Sequence, residues 1–198
     1  MKNYNFSIAL VLAAALAAGC AKKEAELPLA SGTAGPGDAG YTYKLTVEKM
    51  QFHWRVDGNA LHIKLKAPVT GWLAVGFDPS KGMQDAHMVT GYMENGKPVI
   101  LDQHGIDPKH HKPDTELGGA DDVKDPAGVQ AGGETELSFT IPVKSADKLD
   151  KPIPLDGTDL MLAYGESNEI AQQHVLWAKA RLNLRTGAYS ETLIKRGK

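Results

Sequence analysis

Cysteine is almost missing from this chain of 198 residues, which has one, Cys20. A single thiol excludes intramolecular disulfides and cysteine-rich zinc or iron–sulfur sites. An excess of one charge is missing too: 22 basic side chains face 24 acidic ones, for a net charge of −2, so nothing attracts nucleic acid. The one apolar run, Phe6 to Ala18, is too short to span a bilayer as a permanent helix. No segment carries a helical period of useful length. Gly-x-Ser-x-Gly, His-Glu-x-x-His and a phosphate-cradling glycine loop are also missing, which argues against an enzyme and for a binding or carrier protein.

What the chain does have begins with its first twenty residues. Lys2 followed by Phe6–Ala18 and then Gly19-Cys20 reads as a signal peptide over residues 1–19. Leu16-Ala17-Ala18-Gly19-Cys20 resembles a bacterial lipobox, with Ala17 where leucine is preferred, so Cys20 is expected to become the lipidated first residue. Ala21 and Lys22 follow rather than aspartate, which in a Gram-negative cell implies the outer membrane, facing the periplasm. The expected location is extracytoplasmic and lipid-anchored. Removing residues 1–19 leaves 21 basic against 24 acidic side chains. Residues 20–40, rich in Ala, Gly, Pro, Ser and charge, read as a flexible tether, and residues 41–198 as one domain.

From Tyr41 the period becomes two. Met50, Phe52, Trp54 and Val56 alternate with Gln51, His53 and Arg55, and Leu61, Ile63 and Leu65 alternate with His62, Lys64 and Lys66. Asp57-Gly58 as a two-residue turn pairs Trp54 with Leu61 and Phe52 with Ile63 and sets His53 opposite His62 on the wet face. Trp72 to Phe77 is apolar on both parities and reads as a central strand covered on both sides. Further strands are expected at 86–93, 98–102, 135–141, 159–164 and 174–184, with an irregular stretch at 103–133. Many short strands separated by Gly, Pro and Asp turns give an all-β fold, an antiparallel β-sandwich of immunoglobulin-like kind.

His174 shares its parity with Leu176, Ala178, Ala180, Leu182 and Leu184, which places an imidazole on a buried face where it needs a partner: a metal, a carbonyl or a water. Asp102, His104, Asp107, His110, His111 and Asp114 gather oxygen and imidazole donors in one loop. They could suit zinc, nickel or calcium, but no spacing fixes a coordination geometry, and the reading preferred is a solvated loop built on His111-Lys112-Pro113-Asp114 and Gly118-Gly119 turns.

The chain resembles the DOMON family, the β-sandwich of the cellobiose dehydrogenase cytochrome and of dopamine β-monooxygenase relatives. The matching residues are Trp54, Gly71-Trp72-Leu73-Ala74-Val75-Gly76-Phe77, Met83 with Ala86, Gly91-Tyr92, His111 to Asp114, Leu117-Gly118-Gly119, and Leu162-Ala163-Tyr164-Gly165 followed by His174. The resemblance implies a haem whose iron is held by Met83 and His174, in a pocket that includes Trp72 and Tyr92. With no Cys-x-x-Cys-His, that haem is haem b, non-covalently held. The implied function is a lipid-anchored b-type cytochrome passing single electrons to a redox partner protein outside the inner membrane. Other family members imply a haem-free module that binds a carbohydrate or other small ligand near Trp72, Tyr92 and Trp177. A third alternative is a metal-binding lipoprotein using His104, His110, His111 and Asp114. Where relatives carry an acidic residue this chain has His87, followed by Met88, which with Met83 would suit copper. Strand alternation sends His87 and Met88 to opposite faces.

Overall fold

A computed structural model describes residues 25–26 and 30–197. The expected signal peptide and Cys20 lie outside the described residues. The strands are β1 (Ala25–Glu26), β2 (Ser31–Thr33), β3 (Gly35–Pro36), β4 (Tyr43–Val47), β5 (Met50–Asp57), β6 (Ala60–Ala67), β7 (Leu73–Phe77) and β8 (His87–Glu94). They continue as β9 (Lys97–Gly105), β10 (His111–Pro113), β11 (Lys124–Ala131), β12 (Glu134–Pro142), β13 (Thr158–Tyr164), β14 (Leu176–Leu182) and β15 (Ala188–Arg196). Among the described residues the single helical element is one 3₁₀ turn, Asp114–Leu117.

All strand pairs are antiparallel and make two sheets, as expected of the sandwich. The nine-stranded sheet runs β1-β15-β14-β13-β7-β8-β9-β10, with β2 also on β15, and the six-stranded sheet runs β11-β12-β6-β5-β4-β3. Between them Phe52, Trp54, Ile63 and Phe139 meet Val75, Phe77, Leu160 and Leu182, all almost fully buried. Burying large apolar side chains at about 1.5–3 kcal/mol each holds the layers together. Trp54 satisfies its one polar atom by donating Nε1–H to the Leu184 carbonyl at 2.9 Å.

Four expectations need correction. The β5–β6 hairpin turns at Gly58-Asn59, so Trp54 faces Ile63 and Phe52 faces Leu65. The slip is two residues, and a shift of two keeps every side chain on its face. His53 is fully buried rather than wet, and it faces Lys64 instead of His62. The segment at 37–41 lies over it: Asp38 bonds Lys64 at 2.6 Å, and the Tyr41 ring stands 6.0 Å from His53. Residues 31–36, placed in the tether by composition, instead pair with β15 and β4. The stretch at 103–133 holds the end of β9, β10, the 3₁₀ turn and all of β11. The last is an exposed edge strand, irregular at Asp125–Pro126, which hides its pattern.

Candidate functional site

β7 lies in the middle of the larger sheet, and its side chains alternate between the core and the outer face. Leu73, Val75 and Phe77 go inward, and Ala74 and Gly76 outward. The cross-strand neighbours of Gly76 are Met88 and Met161, and those of Ala74 are Thr90 and Ala163. Small residues at the centre, rimmed by long ones, leave a hollow. It is a largely apolar cavity of about 450 Å³. Ala74, Gly76 and Ala163 line it, with Met88 and Met161.

Two distant segments close it. Met83 sits in the turn between β7 and β8, and His174 just before β14. The Met83 turn is held from below: Met83 N–H donates to the Pro108 carbonyl at 3.1 Å, and Asp85 N–H to the Gly105 carbonyl at 2.8 Å. Gly105 is required there, because a Cβ on it would stand 1.7 Å from the Met83 carbonyl oxygen. Asp78 and Asp85 bracket the turn in the left-handed region at φ 50° and 58°.

His174 is half-buried, and its ring centroid lies 5.8 Å from that of Trp177, which also lines the cavity. β14 begins only at Leu176, so the parity that assigned His174 to the core face does not reach it; it borders the outer-face cavity instead. A thioether, an imidazole and an apolar floor with room above it suit a flat, apolar, iron-bearing ligand.

Trp72 and Tyr92 share the outer face but do not line the cavity. Trp72 packs over Gly165, where a Cβ would meet its Nε1 at 2.3 Å. Trp177 is therefore the one aromatic residue lining the cavity. Met161 and Lys179 escaped the sequence reading. Their signal was an outward parity on strands whose inward positions, Leu160, Leu162, Ala178 and Ala180, are all apolar.

The histidine loop does not assemble as one site. His110 is exposed and bonds Asp107 at 2.7 Å, and His111, the first residue of β10, pairs with Gly105 of β9, its imidazole held below the ordinary range by burial. His104 lies opposite His87 in the β8–β9 ladder. Asp102 and Asp114 turn away to join His87 and Asp150. His87 Nε2 is 3.2 Å from Asp102 Oδ1, and His87 Nδ1 is 3.5 Å from Asp150 Oδ1, all three groups buried. Met88 enters the cavity while His87 points into this cluster, the opposite-face arrangement that alternation required.

Compared with known families, the model of the DOMON domain matches residues 46–165. The match takes in Met83, His87, Asp102 and Asp150 and stops before His174.

Proposed function

The chain belongs to the DOMON family, and from that premise we propose that it is a lipid-anchored b-type cytochrome, an electron carrier rather than an enzyme, with Met83 and His174 as the axial pair. The observation that carries the reading is the meeting of these two residues, from segments far apart in the chain, at one apolar cavity of about 450 Å³. That volume lies within the roughly 300–1,000 Å³ of cofactor and small-molecule sites. Held by both Met83 and His174, a haem there would supply a one-electron couple and would have no position left for oxygen chemistry.

The residues divide the work. The Met83 thioether, a softer donor than imidazole, sets a higher potential than a second histidine would. His174 gives the second ligand, with Trp177 beside it. Ala74, Gly76 and Ala163 keep the floor low, and Met88 and Met161 exclude water from it. Lys109 and Lys179 border the cavity and bring positive charge suited to propionates. A lipid on Cys20 would hold the domain on a membrane outside the cytoplasm, where the redox partner is a protein.

The test is an absorption spectrum of the purified protein, expressed with haem supplied and reconstituted with haemin if colourless. Sharp reduced α and β bands of a low-spin b-haem are expected. A featureless spectrum after reconstitution would overturn the reading and favour a small ligand such as a carbohydrate.

A further inference from the structure

The other face of β8 carries a second set of donors that electron transfer does not use. His87, Asp102 and Asp150 each offer a ligand atom, and these atoms lie within 4.8 Å of one another. They come from the start of β8, the end of β9 and the connection between β12 and β13. Asp114, fully buried at the start of the 3₁₀ turn, lies close enough that Asp102, Asp150 and His87 all act on its charge.

Charge is what makes the arrangement unusual. Three buried carboxylates lie around one imidazole, so their full ionisation would leave two negative charges without a counter-charge even with His87 protonated. Hydrogen bonds do not make up the difference. Both oxygens of Asp114, both of Asp150 and Oδ1 of Asp102 are buried without a well-formed hydrogen bond; of these five, Asp102 Oδ1 and Asp150 Oδ1 have the one imidazole of His87 beside them, at 3.2 and 3.5 Å. Asp102 Oδ2 alone is satisfied, accepting from Asp122 N–H at 2.8 Å. Leaving a buried polar group unpaired costs about 1–3 kcal/mol, and more when it is charged, so five such oxygens together need a missing partner.

We infer that His87, Asp102, Asp114 and Asp150 form a buried site for one divalent cation, distinct from the cavity on the outer face. The atoms of His87, Asp102 and Asp150, within 4.8 Å of one another, need close only slightly to share an ion at about 2.0–2.2 Å from each. Three carboxylates with one imidazole favour manganese or zinc over the all-oxygen shell preferred by calcium. Burial pushes the Asp114 carboxyl up to about 7 and Asp150 to about 6, with neighbouring carboxylates adding to both, as expected of donors poised to exchange a proton for a metal. The ion would bind the β8–β9 end to the connection carrying Asp150 and so hold the end of the sandwich closed. The inference is independent of what fills the cavity.

The test starts from purified full-length protein, stripped with a chelator and titrated with Mn²⁺, Zn²⁺, Ca²⁺ and Mg²⁺ while metal content and melting temperature are followed. One bound Mn²⁺ or Zn²⁺ per chain, with a rise in melting temperature, is expected. Asp150→Asn should weaken binding at least tenfold, while a His110→Ala/His111→Ala protein should bind as the parent does. The Mn²⁺ resonance spectrum of the parent protein gives a readout that does not depend on any variant folding: immobilised, water-poor Mn²⁺ is expected. Failure of all four ions to bind or raise the melting temperature would overturn the site, as would undiminished binding by Asp150→Asn.

Discussion

Lys179 donates from β14 to the Gly82 carbonyl at 3.2 Å. This bond links the strand that follows His174 to the turn that carries Met83, and so ties the two walls of the cavity. Lys179→Met removes the tie while keeping an apolar stem. It is expected to change stability by less than about 1 kcal/mol yet loosen haem several-fold, measured as haem transfer to an apo-globin acceptor.

His174→Ala should abolish the low-spin spectrum, and Met83→Ala should convert it to a mixed or high-spin one. Both sites are half-buried, so the far-ultraviolet spectrum of each variant should remain that of the parent. Met88 and Met161 offer rival thioethers in the same cavity. If Met88→Ala, rather than Met83→Ala, changes the spin state, the axial assignment moves to β8.

Gly105→Ala places a carbon where the Met83 carbonyl lies. The backbone must shift, and a loss of about 2–4 kcal/mol in urea unfolding is expected, in the range of overpacking and backbone strain. Haem retention should fall with it, because the shifted segment carries Met83.

Trp54→Phe keeps the ring volume roughly but leaves the buried Leu184 carbonyl without its donor. The expected cost is about 1–3 kcal/mol in equilibrium unfolding, with the spectrum of the cavity unchanged.

The metal-free protein should lose the stability that Asp114 and Asp150 contribute as pH rises from about 4 to about 7. Asp114 titrates near 7 in the fold and far lower when unfolded, so above the unfolded value the native state holds the extra proton and gives it up as pH rises. His87 acts in the same sense. Burial pulls its imidazole down, but Asp102 and Asp150, with Asp114, outweigh that and hold it above its ordinary value. His53 and His111, both depressed by burial, act in the opposite sense, because their unfolded imidazoles still take up protons near 6.5 that the fold refuses, and they damp the loss. Asp102, Asp122, Asp147 and His104 also face the cluster. Each group contributes at most about 1.4 kcal/mol per pH unit. Asp114→Asn should flatten the slope, and saturating Mn²⁺ should remove it. Melting temperatures at four or five pH values decide this.

Much of the sandwich was readable before folding, because β12 and β13 alternate cleanly between core and surface, and β5 and β6 do so apart from the buried His53 and Lys64. The β5–β6 register slipped because both Asp57-Gly58 and Gly58-Asn59 are good turn pairs, and only the pairing of β6 with β12 separates them. His53 read as wet because the strand pattern cannot reveal that Asp38 and Tyr41 fold back over it. Met83 and His174 came through the family resemblance, and local spacing placed neither in the cavity. The His87 cluster was beyond reach: Asp150 sits in Lys148-Leu149-Asp150-Lys151, which in one dimension looks like any solvated turn. Its burial is purely a tertiary event.

The pairing of β1 has a consequence for how the domain would hang from a membrane. Ala25 pairs with Arg196, and Arg196 pairs in turn with Leu176, two positions after His174. With strands about 4.8 Å apart, the chain joins the fold roughly 10 Å from the start of β14. Five residue steps separate Cys20 from Ala25, a reach of at most about 18 Å. A lipid on Cys20 would therefore moor the domain on a short line at its histidine end, turning that side of the cavity toward the bilayer and leaving the Met83 side as the quay where a soluble partner draws alongside.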